Sequence, residues 1–278
     1  MTSLLQIAPT IASYFGIHLV SPAHPIEQIL KFAYSHYPVP HTVTLVVIDS
    51  LDLELYYELG NELRTVHEFV EQHGLLFECD TVSNHTTPAI ASILTGLEPE
   101  SHGIFTADDV GKSKIKSILE LMEGEGKQTC AVIERKGAEP LIGKLSYVYG
   151  VKDREGMDII EYDKIIKEHT ISILRNVEPV QMVFSHIRTI DRFAHRGWDL
   201  RFAATVTDGN IKEIVDAVAA REGLLLICGD HQAHLRDRSR GVGVRVVGKV
   251  PLIVTAPPRL IVSGSKKPTC KKVSIHLF

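Results

Sequence analysis

Charge of either sign is not in excess in this chain of 278 residues. There are 30 Lys and Arg against 34 Asp and Glu, a formal net charge of −4. That leaves no electrostatic case for a nucleic-acid polymer as partner. Cysteine is scarce: Cys79, Cys130, Cys228 and Cys270 are scattered, three of them in apolar runs, and no Cys-x-x-Cys pair occurs. A disulfide framework is thereby excluded, and the pattern reads as reduced, buried thiols of a cytoplasmic protein. No apolar run reaches the roughly 18 residues that a membrane span needs. The opening "MTSLLQIAPTIASYFGIHLV" lacks a basic n-region and is interrupted by Gln6 and Pro9, so it reads as a packed helix rather than a signal peptide. Repeats, low-complexity segments and Pro/Ser-rich linkers are absent as well. The polar, basic stretch 263–273 reads as a solvated terminus. Histidine is the one abundant oddity, at 14 residues.

Six short apolar runs recur along the chain: 42–48, 75–80, 130–134, 180–186, 223–228 and 250–254. Most lack polar–apolar alternation, as strands buried on both faces do. Helix-like segments at 51–73, 88–95, 113–126, 161–176 and 206–221 separate them. This alternation predicts an α/β fold, a mostly parallel sheet with helices on both faces, in a single domain spanning 1–278.

Three of these runs lead into polar residues of metal-ligand type. "TLVVID" ends in Asp49, "MVFSHIRTID" leads to Asp191 with His195 four residues on, and "LLLICGDH" ends in Asp230–His231. Open α/β sheets bind ligands at the carboxyl ends of their strands. Taken singly, each residue has an ordinary explanation, a helix cap or a chance i, i+4 pair. The segment 83–104, "SNHTTPAIASILTGLEPESHGI", adds a second signal. Pro88 suits the first turn of a helix and biases Thr87 toward extended backbone. Thr86 then sits just ahead of a helix N-terminus, where free N–H groups favour an anion such as phosphate. A capping threonine without chemistry is the alternative for this segment alone.

Together these residues resemble the alkaline phosphatase superfamily of metallo-phosphohydrolases, and most closely its nucleotide pyrophosphatase/phosphodiesterase branch. The likeness runs in the same chain order over roughly 42–256. "TTPAIASILTGLEPESHGI" carries it most specifically, and "DRFAH" and "GDH" add to it. The resemblance implies that Thr86 is the nucleophile and that two divalent cations are bound. Asp49, Thr86, Asp230 and His231 would hold one. Asp191, His195 and a further histidine, His234 by its place after the Asp-His pair, would hold the other, with His186 and His102 in reserve. Mixed Asp/His ligation suits zinc or manganese better than magnesium. The implied substrate is a small phosphoester, a nucleotide among the candidates, with specificity from loops 105–113 and 135–160, where Arg135, Lys136 and Lys144 are either phosphate contacts or solvated charges. A cofactor-independent phosphoglycerate mutase and a non-catalytic nucleotide- or metal-binding member are the alternative readings.

Three departures stand out. Gln232 follows Asp-His where the family has Gly. Ala89 stands where the diesterase branch carries Asn, which leaves Asn84 or a backbone N–H as the expected donor to the transferring group. Finally, the segment "QIAPTIASYFGIHLVSP" opens the chain although relatives carry its like near the C-terminus, after the "VPLIV" strand. Residues 4–34 are therefore expected beside the strand at 250–254.

Overall fold

The run Val43–Ile48, VTLVVI, is buried along its whole length, and it forms an inner strand of the sheet. Val46 and Ile48 face one apolar cluster while Val43, Leu45 and Val47 face a second on the opposite side. A strand with two covered faces needs apolar residues at every position, which is why alternation is missing from its sequence. Each such side chain contributes about 1.5–3 kcal/mol on burial.

The computed structural model describes residues 2–72, 74–152, 157–233 and 248–258. Eight strands form one sheet: β1 (Thr2–Ser3), β2 (Val43–Ile48), β3 (Leu75–Asp80), β4 (Thr129–Glu134), β5 (Tyr147–Val151), β6 (Met182–Ile187), β7 (Leu224–Gly229) and β8 (Lys249–Thr255), in the order β1-β3-β8-β7-β2-β6-β4-β5. All neighbouring pairs are parallel except those made by β8, which runs antiparallel between β3 and β7. The expected mostly parallel sheet is thus present. Its helices are α1 (Ile7–Phe15), α2 (Glu27–His36), α3 (Leu53–Glu58), α4 (Arg64–Gln72), α5 (Thr86–Thr95), α6 (Pro99–His102), α7 (Ile118–Gly124), α8 (Arg135–Ala138), α9 (Ile159–Asn176), α10 (Thr189–Arg196) and α11 (Leu200–Arg221). Residues of α3, α4, α9, α10 and α11 pack on one face; those of α1, α2, α5 and α7 cover the other. No helix among the described residues is long and apolar enough to cross a membrane.

Three local differences from the sequence reading have physical causes. The segment 51–73 is two helices rather than one, because the chain turns at Gly60–Asn61 and restarts where Asp208 of α11 accepts hydrogen bonds from Thr65 N (3.2 Å) and Val66 N (3.3 Å). "YVYGV", read as loop, pairs with β4 as the edge strand β5. Residues 4–34 share the apolar cluster of Val250, Leu252 and Val254, as expected, while Thr2–Ser3 ahead of them, which the sequence reading left unassigned, pair as β1 with β3.

This N-terminal segment also fixes α5. Gly96 ends α5 with φ +71°, and Ser21 Oγ donates to its carbonyl at 2.6 Å. Glycine suits that left-handed position, and a Cβ there would meet Ser21 Oγ at 2.8 Å and Pro9 Cδ at 3.0 Å.

Asp163 of α9 anchors the start of α10. Its carboxylate accepts from Arg188 N (2.9 and 3.1 Å), from Thr189 N (2.8 Å) and from Thr189 Oγ1. Asp163→Ala leaves those buried donors unpaired, so a loss of about 3 kcal/mol is expected, with Asp163→Asn costing less because its amide oxygen still accepts. Urea unfolding with metal chelated measures it; a change within about 0.5 kcal/mol of zero would refute this account.

Candidate active site

The registers explain why the site forms where it does. Ile48 of β2 pairs with Gly229 of β7 and with Ile187 of β6. The residues that follow these three adjacent parallel strands therefore emerge side by side at one sheet edge. They are Asp49 and Ser50 after β2, Arg188 after β6, and Asp230 and His231 after β7. Thr86, in the first turn of α5, reaches the same edge.

Thr86 Oγ1 donates to Asp49 Oδ1 at 3.2 Å and lies 3.1 Å from His231 Nε2. His231 Nε2 is 3.2 Å from Asp49 Oδ1 and 3.6 Å from Asp230 Oδ2. Asp49, Asp230 and His231 are almost wholly buried. Their ligand atoms lie within 4.8 Å of one another, a geometry able to hold a metal ion. His231 Nδ1 donates to the Gln232 carbonyl at 2.9 Å; because a carbonyl only accepts, Nδ1 carries the proton and Nε2 is the nitrogen left for a ligand. Half-buried Gln232, the departure from the expected glycine, packs its side chain against Gly248.

Ser50 ties this trio to the second pair. Its backbone N–H donates to Asp230 Oδ1 at 2.9 Å and its Oγ donates to Asp191 Oδ1 at 2.7 Å. Asp191 Oδ1 is in turn 3.3 Å from His195 Nε2, one helical turn on. Ser50 holds φ +63°, a left-handed conformation that a serine adopts at a cost of roughly 1–2 kcal/mol. Such strain at a convergence of carboxylates marks a position where backbone geometry serves the site. The six expected residues thus form one connected network. His234 lies outside the described residues, as do Cys270 and the 263–273 tail.

Other sequence expectations change. The helix begins at Thr86 with His85 as its N-cap, so Thr86 lies within the first turn rather than ahead of it; Pro88, third in the helix, is tolerated there because first-turn N–H groups have no intrahelical acceptor. His102 is structural: Nε2 is 3.0 Å from Ser92 Oγ and Nδ1 accepts from Ile104 N at 3.0 Å. Arg135 and Lys144 pair with Glu139 and Glu120. The cation at the site is Arg188, which sequence reading missed along with Ser50. Its Nε is 3.6 Å from Asp49 Oδ2, its Nη1 donates to Glu134 Oε2 at 2.8 Å, and it lies over the Tyr162 ring. His186, a reserve candidate, is buried with Nε2 3.4 Å from Asp49 Oδ2.

Electrostatics follow from this crowding. Burial would raise the Asp49 pKa, but the adjacent imidazoles of His186 and His231 hold it well below the carboxylate range. Burial and the neighbouring Asp49 push Asp230 upward, against the pull of His231. Burial would lower the His231 pKa; Asp230 and Asp49 outweigh it and raise the imidazole to about 10. Asp49 Oδ2 and Asp230 Oδ2 are buried without a hydrogen-bond donor. Asp49, Asp191, Asp230 and Glu134 outnumber the Arg188 guanidinium and the His231 imidazolium, and the ligand oxygens left over fit a divalent cation.

No protein-family model matches the chain, and no curated protein sequence does. Solved structures do. A protein of the alkaline phosphatase superfamily from Vibrio parahaemolyticus is similar over 93% of this chain and 70% of its own, with a TM-score of 0.53 and 11% identity. The C-terminal periplasmic domain of EptC from Escherichia coli, in complex with zinc, is similar over 78% of this chain and 73% of that one (TM-score 0.53, 14% identity). Murine ectonucleotide pyrophosphatase/phosphodiesterase 5 is similar over 69% and 57% (TM-score 0.54, 16% identity). The chain has the alkaline-phosphatase-like fold, and it spans between 57% and 73% of the length of these three proteins.

Proposed function

We propose that the protein is a metal-dependent phosphoester hydrolase in which Thr86 is the nucleophile. The observation that carries this reading is the placement of Thr86 Oγ1 within 3.2 Å of both Asp49 and His231, in the first turn of α5. Asp49, Asp230 and His231, with Thr86, would hold one divalent cation. Asp191 and His195 would contribute to a second, with His234 as the further imidazole. A bound cation supplies positive charge that lowers the pKa of the hydroxyl and offsets charge on the phosphoryl oxygens. The chain's own residues do the rest. Asp49 Oδ1 accepts the Thr86 proton in a hydrogen bond and so orients the oxygen. At the start of α5 the N–H groups of Thr86 and Thr87 would favour incoming phosphate, since Pro88 has none and that of Ala89 donates to His85 O. Thr86 Oγ1, its proton released to solvent, then bonds to phosphorus as the bond to the leaving alcohol oxygen breaks; the leaving oxygen takes a proton from water, and water later cleaves the phosphothreonine, giving the phosphate product and restoring the hydroxyl. Zinc suits the mixed donor set best, with manganese next. A diester or nucleotide pyrophosphate is the favoured substrate class, on motif likeness, over the mutase and non-catalytic alternatives. The buried free thiols Cys79, Cys130 and Cys228 suit a reducing, cytoplasmic setting. Zinc analysis together with turnover of a chromogenic phosphodiester tests the reading; zinc-loaded protein inert toward mono- and diesters alike would overturn it.

The electrostatics add a pH prediction. With His231 raised to about 10, the metal-free imidazole is protonated at neutral pH, and a metal requires it neutral. Cation binding at pH 7.5 is expected to release about one proton, and affinity to rise about tenfold per pH unit until it flattens near pH 10. The sign for the metal-free fold is opposite. A raised histidine pKa stabilises it fully below the ordinary value near 6.5, and that stability is lost as pH climbs through about 10. Calorimetry in buffers of different ionisation enthalpy counts the proton, and a count of zero would contradict the protonated His231.

A further inference from the structure

A pocket of about 130 Å3 is lined by Thr86 and His186 and lies between α5, β4 and the segment 104–120. Its walls include Ile90, Leu94, Ile104, Ile133, Leu141 and Phe184. Most polar side chains in those walls are already engaged, His186 Nε2 beside Thr86 being buried without a hydrogen-bond partner. Glu120 takes Lys144 at 3.3 Å and the Ser117 N–H and hydroxyl. Glu134 takes Arg188 at 2.8 Å. Thr95 Oγ1 donates to Ala91 O and Ser113 Oγ to His102 O. Away from Thr86 and His186 the lining is mainly apolar and its polar groups are engaged, which favours an apolar occupant there. An apolar cavity of about 150 Å3 lined by Leu, Ile and Phe is large enough to take benzene, so this pocket is of single-ring size.

We propose that this pocket holds a compact apolar substituent of the substrate, the size of one aromatic ring, and so selects, within the diester class, phosphoesters that carry an aryl or similarly small apolar group. The proposal rests on the reading of Thr86 as the nucleophile, because Thr86 lines the pocket and so joins it to the phosphate position. A ring seated among the apolar walls can place its ester oxygen and phosphorus beside Thr86.

Two measurements on the zinc-loaded full chain test it. Fluorobenzene, followed by fluorine NMR, reports the pocket whatever happens at the metal, and is expected to bind saturably and to be displaced by phenylphosphonate. Calorimetry should then give phenylphosphonate about thirtyfold tighter binding than methylphosphonate, the worth of burying one ring. Ala107→Phe, in the outer wall, should cut that preference to about threefold without weakening methylphosphonate. Ile115→Glu, at an exposed rim position where folding is not at stake, should do the same. Absent or non-saturable fluorobenzene binding, failure of phenylphosphonate to displace it, or a preference untouched by Ile115→Glu would overturn the proposal. If the ring preference holds while no phosphoester of any kind is hydrolysed, the pocket stands and the hydrolase reading falls.

Discussion

Thr86→Ala should abolish phosphodiester turnover, by on the order of 10⁴-fold or more, while leaving zinc binding largely in place. The loss is confined because Thr86 is one hydroxyl among several donors. Asp49, Asp230 and His231 keep their mutual geometry without it, held by the Ser50 N–H on Asp230 and by the Gln232 carbonyl on His231. Alanine is also a good helix former, so α5 and its contacts with the N-terminal segment survive. Thr86→Ser keeps the nucleophilic oxygen and should retain activity within about tenfold. Thr87→Ala should be mild, since no hydrogen bond ties Thr87 to the ligand trio among those described. Steady-state kinetics with parallel metal analysis decides the matter. Near-normal turnover in Thr86→Ala combined with an inactive Thr87→Ala would move the nucleophile one residue along.

Much of this arrangement could be read from the chain before any coordinates, and the reason is local. A strand buried on both faces is an uninterrupted apolar run, so the charged residue that ends it is conspicuous. Asp49 and Asp230 stood out for that reason. Parallel pairing then put both at one edge, with Ile48 opposite Gly229. The residues that sequence reading missed depend on information it does not hold. Ser50 matters through its left-handed backbone, and nothing in the letters "DSL" announces a φ angle. Arg188 and Glu134 meet because β4 lies next to β6 in the sheet, a consequence of strand order rather than of composition. Arg135 and Lys144 read from sequence as either phosphate contacts or solvated charges, and only the fold shows the carboxylates beside them, Glu139 and Glu120, that take up their charge. The helix break within 51–73 was similarly hidden, because the carboxylate that caps its second half comes from Asp208, far along the chain.

Gly229→Ala should damage the fold and the metal site together. Gly229 ends β7 directly before Asp230, and the turn that follows β2 passes against it. A Cβ at position 229 would stand 1.9 Å from the Leu51 carbonyl oxygen, 2.9 Å from its carbon and 3.2 Å from Val250 Cβ. Two of those atoms are backbone, so no rotamer change relieves the overlap; β7 and the turn at 49–52 must separate. That turn carries Asp49, the strained Ser50 and Asp52, whose Oδ1 caps α3 at Leu55 N (2.8 Å) and whose Oδ2 accepts from Ala233 N (3.1 Å). Separation therefore stretches the Ser50–Asp230 hydrogen bond and the Asp49–His231 contact at once. We expect a destabilisation of about 3 kcal/mol or more, and a midpoint lowered by roughly 10 °C. Zinc affinity should fall along with it. Gly209→Ala is the control: it lies inside α11 with nothing within 4 Å of the added atom, and should stabilise by about 0.5–1 kcal/mol. Thermal unfolding of both variants, with and without chelator, separates the effects. A Gly229→Ala protein as stable as the parent, binding zinc equally well, would mean that the close approach of β7 to this turn does not hold the site together.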